Sequence, residues 1–263
     1  MIINKFGFRS NIKSVNLSGM GCSAGILSIY LAKDLLKVHK NSLALVLSME
    51  AVTPNGYAGK KKSMLLPNIL FRMGGAAILL SNRKQDKGMA KYKLEHLVQT
   101  HIGSDDEAYQ SVFQKSDEDG VEGVSLSRAL LNVATKALKT NISSLGPLVL
   151  PHSEQLRFAW SMIPVIDGIE QSLKLQKEDG EASRMTLHRF GNTSSSSIWY
   201  ELCYLETKGR VKKGNKVWQI AFGSGFKCNT AVWRCISDVD PTKRNAWSDS
   251  INLYPIIDDE IPN

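Results

Sequence analysis

Ser14-Val15-Asn16-Leu17-Ser18-Gly19-Met20-Gly21-Cys22-Ser23-Ala24-Gly25 decides how this chain is read. Ser14–Ser18 reads as a short buried strand. It runs into glycines, then Cys22, then a helix over Ser23–Val38 whose apolar faces come from Ile26, Ile29, Tyr30, Leu35 and Leu36. Leu43–Ser48 follows as a continuous apolar run, the pattern of a strand covered on both sides. The first fifty residues therefore read strand–helix–strand, a βαβ unit of an α/β protein. A sulfur at a helix N-terminus meets unpaired backbone N–H groups and the positive end of the helix dipole, which favour the thiolate and predict a lowered pKa. Gly19 and Gly21 permit the sharp turn, while Ala24 and Gly25 admit other backbone. The shape is that of a nucleophile elbow, although Met20 stands where the G-x-S-x-G spacing needs glycine. A buried structural cysteine beside a glycine turn is the competing reading. The strand–turn–helix context favours Cys22 as a nucleophile.

Bulk properties bound the rest. The 263 residues suit one large or two smaller domains, and 43% hydrophobic content is ample for a core. Cysteines 22, 203, 228 and 235 form no C-x-x-C pair, so neither a zinc site nor a disulfide framework is expected, and a reducing compartment is the simpler reading. The net charge is +8, but the basic residues are scattered. Lys60-Lys61-Lys62 reads as a solvated loop rather than a nucleic-acid site, and the charge leaves acidic partners such as CoA phosphates or anionic lipid open. No stretch reaches the ~18 apolar residues that span a bilayer. Met1–Lys13 is too polar for a signal peptide, so the chain reads as soluble. Met1 leads almost at once into a motif that sits deep inside a domain, which predicts upstream sequence.

Gly74–Ser81 reads as another buried strand, with Lys91–His101 expected to pair beside it. Gly103–Gly123 is polar and acidic, a surface excursion. Ser125 is expected to cap a helix carrying Leu126, Ala129, Leu130, Val133, Ala134, Ala137 and Leu138 at helical spacing. Gly146-Pro147 breaks the pattern before a strand-like Leu148–Leu150. The domain boundary is placed there, dividing residues 1–146 from 147–236. Helices are expected near Ser153–Trp160 and Val165–Leu175, a turn at Asp179-Gly180, and a helix over Thr193–Lys208. Lys216–Phe222 and Thr230–Ile236 should be partner strands. The polar, proline-bearing tail of residues 237–263 is expected to be disordered and outside the core.

Two more segments carry chemistry. Asn192, in His188-Arg189-Phe190-Gly191-Asn192-Thr193-Ser194-Ser195-Ser196-Ser197, stands before a helix start. Its amide can cap that helix or donate to a developing oxyanion, and capping is the better reading of the residue alone. His188 alone reads as a hydrogen-bonded structural histidine. Gly223-Ser224-Gly225 follows a buried strand. It is either a plain hairpin turn or a loop bringing backbone N–H groups to a ligand.

Together the three segments resemble the plant 3-ketoacyl-CoA synthases, the condensing enzymes of very-long-chain fatty-acid elongation. The resemblance covers roughly Lys13–Ile236. It also includes Met64-Leu65-Leu66-Pro67-Asn68, the stretch from Phe71 to Arg83, and Ser153-Glu154-Gln155-Leu156. It implies a thiolase-like fold: two similar α/β halves stacked as a five-layer αβαβα sandwich, here with the first half incomplete. It implies an acyltransferase whose cysteine takes the acyl group from acyl-CoA, while histidine and asparagine stabilise the enolate formed as malonyl-CoA loses CO2. Cys22 matches the cysteine and Asn192 the asparagine. Gly223, Ser224 and Gly225 match a substrate-binding loop, and His101 and His188 match auxiliary family histidines. The resemblance further implies acyl-CoA and malonyl-CoA as substrates, a homodimer, other elongase-complex subunits as partners, an endoplasmic reticulum location, and no cofactor, metal or nucleic acid.

The chain departs from the family pattern at the triad histidine. The family's His-Ala-Gly-Gly segment precedes Val-Ile-Asp, but here Ser161-Met162-Ile163-Pro164 directly precedes Val165-Ile166-Asp167, and no histidine lies between His152 and His188. Two further readings stand beside the synthase: a catalytically impaired family member serving as dimer partner or acyl-CoA binder, and a cysteine-dependent hydrolase. The missing histidine predicts slow decarboxylation of malonyl-CoA.

Overall fold

A computed structural model describes residues 2–51, 56–150 and 178–256. The helices expected near Ser153–Trp160 and Val165–Leu175, and the Ser161–Pro164 junction, lie outside the described residues. After one helical turn, α1 (Ile2–Lys5), the chain forms α2 (Ala24–Val38), β1 (Leu43–Glu50), α3 (Lys62–Leu70), β2 (Gly74–Ser81), β3 (Tyr92–His101) and α4 (Asp106–Gln110). It continues through β4 (Val112–Ser116), β5 (Glu122–Leu126), α5 (Leu130–Val149), α6 (Glu181–Phe190), α7 (Ser197–Thr207), β6 (Lys216–Gly223) and β7 (Lys227–Cys235).

The strands pair as β1–β2, as β3–β7–β6 and as the hairpin β4–β5, all antiparallel. Helix α2 is the centre of the molecule. Its Ile26, Ile29 and Ala32 pack with Val46 of β1, with Ile198 and Trp199 of α7, and with Ala221, Ala231 and Trp233 of β6 and β7. The helix thus lies between the two larger sheets. On the outer side of β3–β7–β6, Val133, Ala137, Leu138 and Ile142 of α5 pack with Ala108, Phe226 and Cys228. The described layers run sheet, helix, sheet, helix. A buried polar cluster ties α5 down: Asn141 Nδ2 donates to the carbonyls of Val98 and Cys228 and to Thr100, and Thr230 donates to Asn141 Oδ1.

Several expectations are corrected. Ser14–Ser18 forms no strand and is largely exposed, with Val15 at 61%, so the βαβ unit is not formed among the described residues. β1 is not covered on both sides, because Leu43, Leu45, Leu47 and Met49 face outward. β3 pairs with β7, not with β2, whose hydrogen-bonded partner is β1. The Gly103–Gly123 excursion contains α4, capped by Asp105 Oδ1 accepting from Ala108 N, and most of the β4–β5 hairpin. Ser125 belongs to that hairpin opposite Phe113, so it caps nothing; Ser127 Oγ accepts from Ala129 N just ahead of α5.

The expected break at Gly146-Pro147 is also absent. Helix α5 runs on to Val149, because Pro147 falls in its last turn, where one lost N–H is cheap, and Leu150 N still bonds Gly146 O. Leu148–Leu150 is accordingly not a strand. The ladder joining β3 to β7 crosses the expected division at 146/147. Residues 237–256 are not a disordered tail. Trp247 is fully buried, donates Nε1 to the Tyr200 carbonyl, and stacks edge-on against Phe190, Tyr204 and Tyr254.

Candidate functional site

The site is built where the first turn of α2 meets two other turns. Gly19 and Gly21 take positive φ, +70° and +67°, and swing the chain into the helix, with Ala24 N bonding Gly21 O at 3.0 Å. Cys22 sits just ahead of α2, partly buried, with Ser23 wholly buried behind it. All three chemistry-bearing segments converge here. A methyl group at Gly21 would lie 2.7 Å from both N and Oγ of Ser224; one at Gly223 would lie 2.5 Å from Ser23 Oγ; one at Gly25 would collide with the Ser195 carbonyl. Only side-chain-free backbone lets the elbow, the 192–197 turn and the 223–225 loop approach this closely.

Asn192 is held by its backbone. Its N–H donates to Leu70 O at 2.8 Å, and its carbonyl accepts from Arg72 N at 2.9 Å. Its Oδ1 accepts from Ser194 N at 2.8 Å. That bond closes a local turn two residues on rather than capping α7, whose N-cap is Ser196, and it fixes which way the amide is turned. Among the described residues Nδ2 has no hydrogen-bond partner, so it is left as a donor for a substrate oxygen.

The expected depression of the Cys22 pKa is corrected. Burial pushes the thiol up, the Glu50 carboxylate pushes it further up, and a hydrogen bond from Ser194 pulls it part of the way back. Desolvation is the largest of these influences. Cys22 rests as a thiol and must lose its proton when it reacts.

Around the 223–225 loop, Lys227 Nζ donates to Ser224 O at 2.8 Å, and His101 Nε2 lies 3.3 Å from Gly225 O. Burial holds the Lys227 ammonium below its ordinary pKa. His101 thus touches the loop rather than the sulfur. His188 Nδ1 lies 3.2 Å from Tyr254 Oη, with its ring edge-on to that tyrosine, so it engages the C-terminal segment and not the Cys22 pocket. Among the described residues no cluster of His, Cys, Asp and Glu could hold a metal ion.

Sequence reasoning missed Glu50, Ser48, Ser194 and Ser195. Ser195 N and Oγ both donate to Glu50 Oε1, at 3.3 and 2.5 Å, and Ser195 Oγ lies 2.7 Å from Ser48 Oγ. The available signal was a carboxylate closing an otherwise apolar strand, together with a four-serine run at a helix start. A groove of about 1440 Å³, lined by residues such as Lys33, Leu79, Lys84, Tyr92 and Trp233, contains none of the candidate site residues.

Comparisons with known proteins give the family and the fold. A family model described as FAE1/Type III polyketide synthase-like protein matches residues 1–165, and one described as 3-oxoacyl-[acyl-carrier-protein] synthase III C terminal matches residues 161–235. The chain is 61% identical to 3-ketoacyl-CoA synthase 7 of Arabidopsis thaliana over 288 aligned positions, covering 98% of this chain and 63% of the relative. It is 52% identical to 3-ketoacyl-CoA synthase 6 of the same plant, covering 99% of this chain and 59% of the relative. The chain therefore spans about three-fifths of the length of these relatives. The 288 aligned positions exceed the 263 residues here, so the first relative carries internal residues that this chain lacks.

Among solved structures, 1,3,6,8-tetrahydroxynaphthalene synthase from Streptomyces coelicolor A3(2), a type III polyketide synthase, superposes with a TM-score of 0.71 at 19% identity. That match covers 90% of this chain and 66% of the other. CsyB complexed with CoA-SH superposes with a TM-score of 0.69 at 21% identity, covering 89% and 68%. These likenesses show the fold, a thiolase-like α/β layering.

Proposed function

The chain belongs to the FAE1/type III polyketide synthase-like family, and from that premise we propose that it carries the chemistry of a 3-ketoacyl-CoA synthase, with Cys22 as its acyl-accepting nucleophile. The observation that carries this reading is the convergence of the Gly21, Gly25 and Gly223 backbones around Cys22, with Asn192 Nδ2 left to donate. The Cys22 sulfur attacks the thioester carbon of a long-chain acyl-CoA. A C–S bond to Cys22 forms, the bond to CoA breaks, and the departing CoA sulfur takes the proton that Cys22 gives up. Malonyl-CoA then loses CO2, and its enolate oxygen accepts a hydrogen bond from Asn192 Nδ2. The carbanion attacks the acyl-enzyme carbonyl, a C–C bond forms, and Cys22 leaves with the electron pair as thiolate. No metal or redox cofactor enters this scheme. A homodimer, other elongase-complex subunits and a place at the endoplasmic reticulum membrane belong to the same proposal. Among the described residues no helix is long and apolar enough to cross a membrane.

With no histidine between His152 and His188, the enolate has one donor fewer, and decarboxylation is expected to run about 10²-fold or more below that of a complete triad. The test separates the two half-reactions. Purified protein incubated with a long-chain acyl-CoA should gain the acyl mass on the Cys22 peptide, and Cys22→Ala should not. Release of CO2 from malonyl-CoA should be slow. An unmodified Cys22 peptide after exposure to acyl-CoAs of several lengths refutes the reading. Acyl-CoA hydrolysis without condensation would favour a cysteine hydrolase.

A further inference from the structure

Lys227 closes the hairpin between β6 and β7. It stands opposite Gly223 of β6 on one side and opposite His101 of β3 on the other. Its side chain is half-buried, yet no carboxylate among the described residues pairs with it. Nζ donates instead to the Ser224 carbonyl at 2.8 Å. Gly225, at φ +117°, makes room for this bond, since a methyl group there would lie 2.6 Å from Lys227 Nζ. The next carbonyl, that of Gly225, has His101 Nε2 beside it at 3.3 Å.

The loop held in this way touches both chain neighbours of Cys22. A methyl group on Gly21 would lie 2.7 Å from Ser224 N, and one on Gly223 would lie 2.9 Å from Ser23 N. Each step from the ammonium to the elbow is therefore a direct contact: Lys227 on Ser224, Ser224 on Gly21, Gly223 on Ser23. Cys22 is bonded between Gly21 and Ser23.

We propose that Lys227 is a positioning residue: by holding the Ser224 carbonyl it seats the 223–225 loop against Gly21 and Ser23, and so fixes the backbone on both sides of Cys22. A lysine suits the task. A hydrogen bond from a charged donor is roughly twice as strong as one between neutral groups, which offsets half-burying an ammonium that has no counter-charge. A loop released from this hold uncovers the thiol. Cys22 then meets more solvent, which relieves the burial that disfavours its thiolate and opens it to reagents, so both effects speed its alkylation.

The proposal rests on Cys22 being the reactive thiol, and its test reads that thiol without any acyl-CoA. Alkylation by iodoacetamide at about pH 8 is followed separately on the Cys22 and Cys235 peptides. Cys235 is wholly buried at the far end of β7 and reports general opening. Lys227→Met removes the donor, whereas Lys227→Arg keeps a charged one. K227M should alkylate at Cys22 about tenfold faster than the unaltered chain, the factor by which losing one hydrogen bond from a charged donor favours local opening. K227R should stay within about twofold of the unaltered chain, with Cys235 unchanged in both. In a Gly21→Ala background, where the added methyl already pushes Ser224 away, K227M should add nothing further. Equal Cys22 rates with and without K227M overturn the proposal. So do a K227R rate matching K227M, additive effects in G21A, or a rise at Cys235 in step with Cys22. Should K227M fail to fold, Lys227→Gln is compared with K227R: its neutral donor predicts a smaller rise, and equal rates overturn the proposal. An unaltered chain that takes no acyl group while the K227M/K227R difference holds would count against the condensing function alone.

Discussion

The two larger sheets differ in how much of themselves they hide. β3–β7–β6 has α2 and α7 on one face and α5 on the other, and nearly every position along β7 is buried. Among the described residues β1–β2 is covered on one face only, by α2 and α7. Its other face presents Leu43, Leu45, Leu47, Met49 and Leu79, from 40% to 64% exposed. The open sheet in fact uses the more apolar strands, so composition does not predict which sheet is covered; layering does. Burial stabilises by about 25 cal/mol per Å² of apolar surface removed from water. The covered sheet is therefore the rigid half of the scaffold, and the open one is its weaker half as well as a sticky surface. Cys22 sits at the seam, since the helix behind it packs on both.

The sharpest way to break this comparison is to empty the shared core. Ile29→Ala, at a fully buried position between the sheets, should cost about 2–5 kcal/mol by chemical denaturation, whereas Leu79→Ala on the open face should change stability by only about 0.5 kcal/mol. Equal losses would mean the open face is covered in solution. Next in size is Asn141→Ala. It leaves Thr100 and Thr230 without their partner in a buried site and should cost about 2–3 kcal/mol, with the loss falling on the covered sheet. Amide hydrogen exchange should then separate the sheets directly. β7 amides between Cys228 and Trp233 should exchange last, and β1–β2 amides measurably earlier; matched protection would contradict the layering argument. The smallest effect on folding is expected from Leu45→Ser with Leu47→Ser. Stability should stay within about 1 kcal/mol while light scattering at high protein concentration falls. Unchanged scattering would remove the open leucine row as a cause of association.

Local pattern made much of this legible. The run Gly74–Ser81 is β2 to the residue, the elbow at Cys22 opens α2, and the three chemistry-bearing segments do meet. The signals that failed were those whose meaning depends on a distant partner. The apolar run of β1 predicts cover on both faces only if something lies there to cover it. Pro147 reads as a stop unless the helix is about to end anyway. The alternation in β3 cannot say that its partner lies some 130 residues later in β7 rather than next door in β2. Ser195 and Glu50 are each unremarkable in sequence, and their tie exists only after α2 and β1 have packed. The thiol pKa was misjudged for the same reason. A helix terminus is local and can be read from spacing, while desolvation is a property of the assembled surroundings.

Trp247 bears on how this protein can be handled. A shortened version ending at Ile236 would keep every motif that suggests catalysis, and on sequence grounds it is the obvious choice. It would also strip away Trp247, whose ring closes over Phe190 and Tyr204, together with Tyr254 beside it, and with them the anchor on the Tyr200 carbonyl. Tyr204 and Tyr200 belong to the helix that follows Asn192 and the serine turn, so the cut would loosen the support under the candidate site from behind. The smallest piece worth purifying is longer than the smallest piece that contains the chemistry.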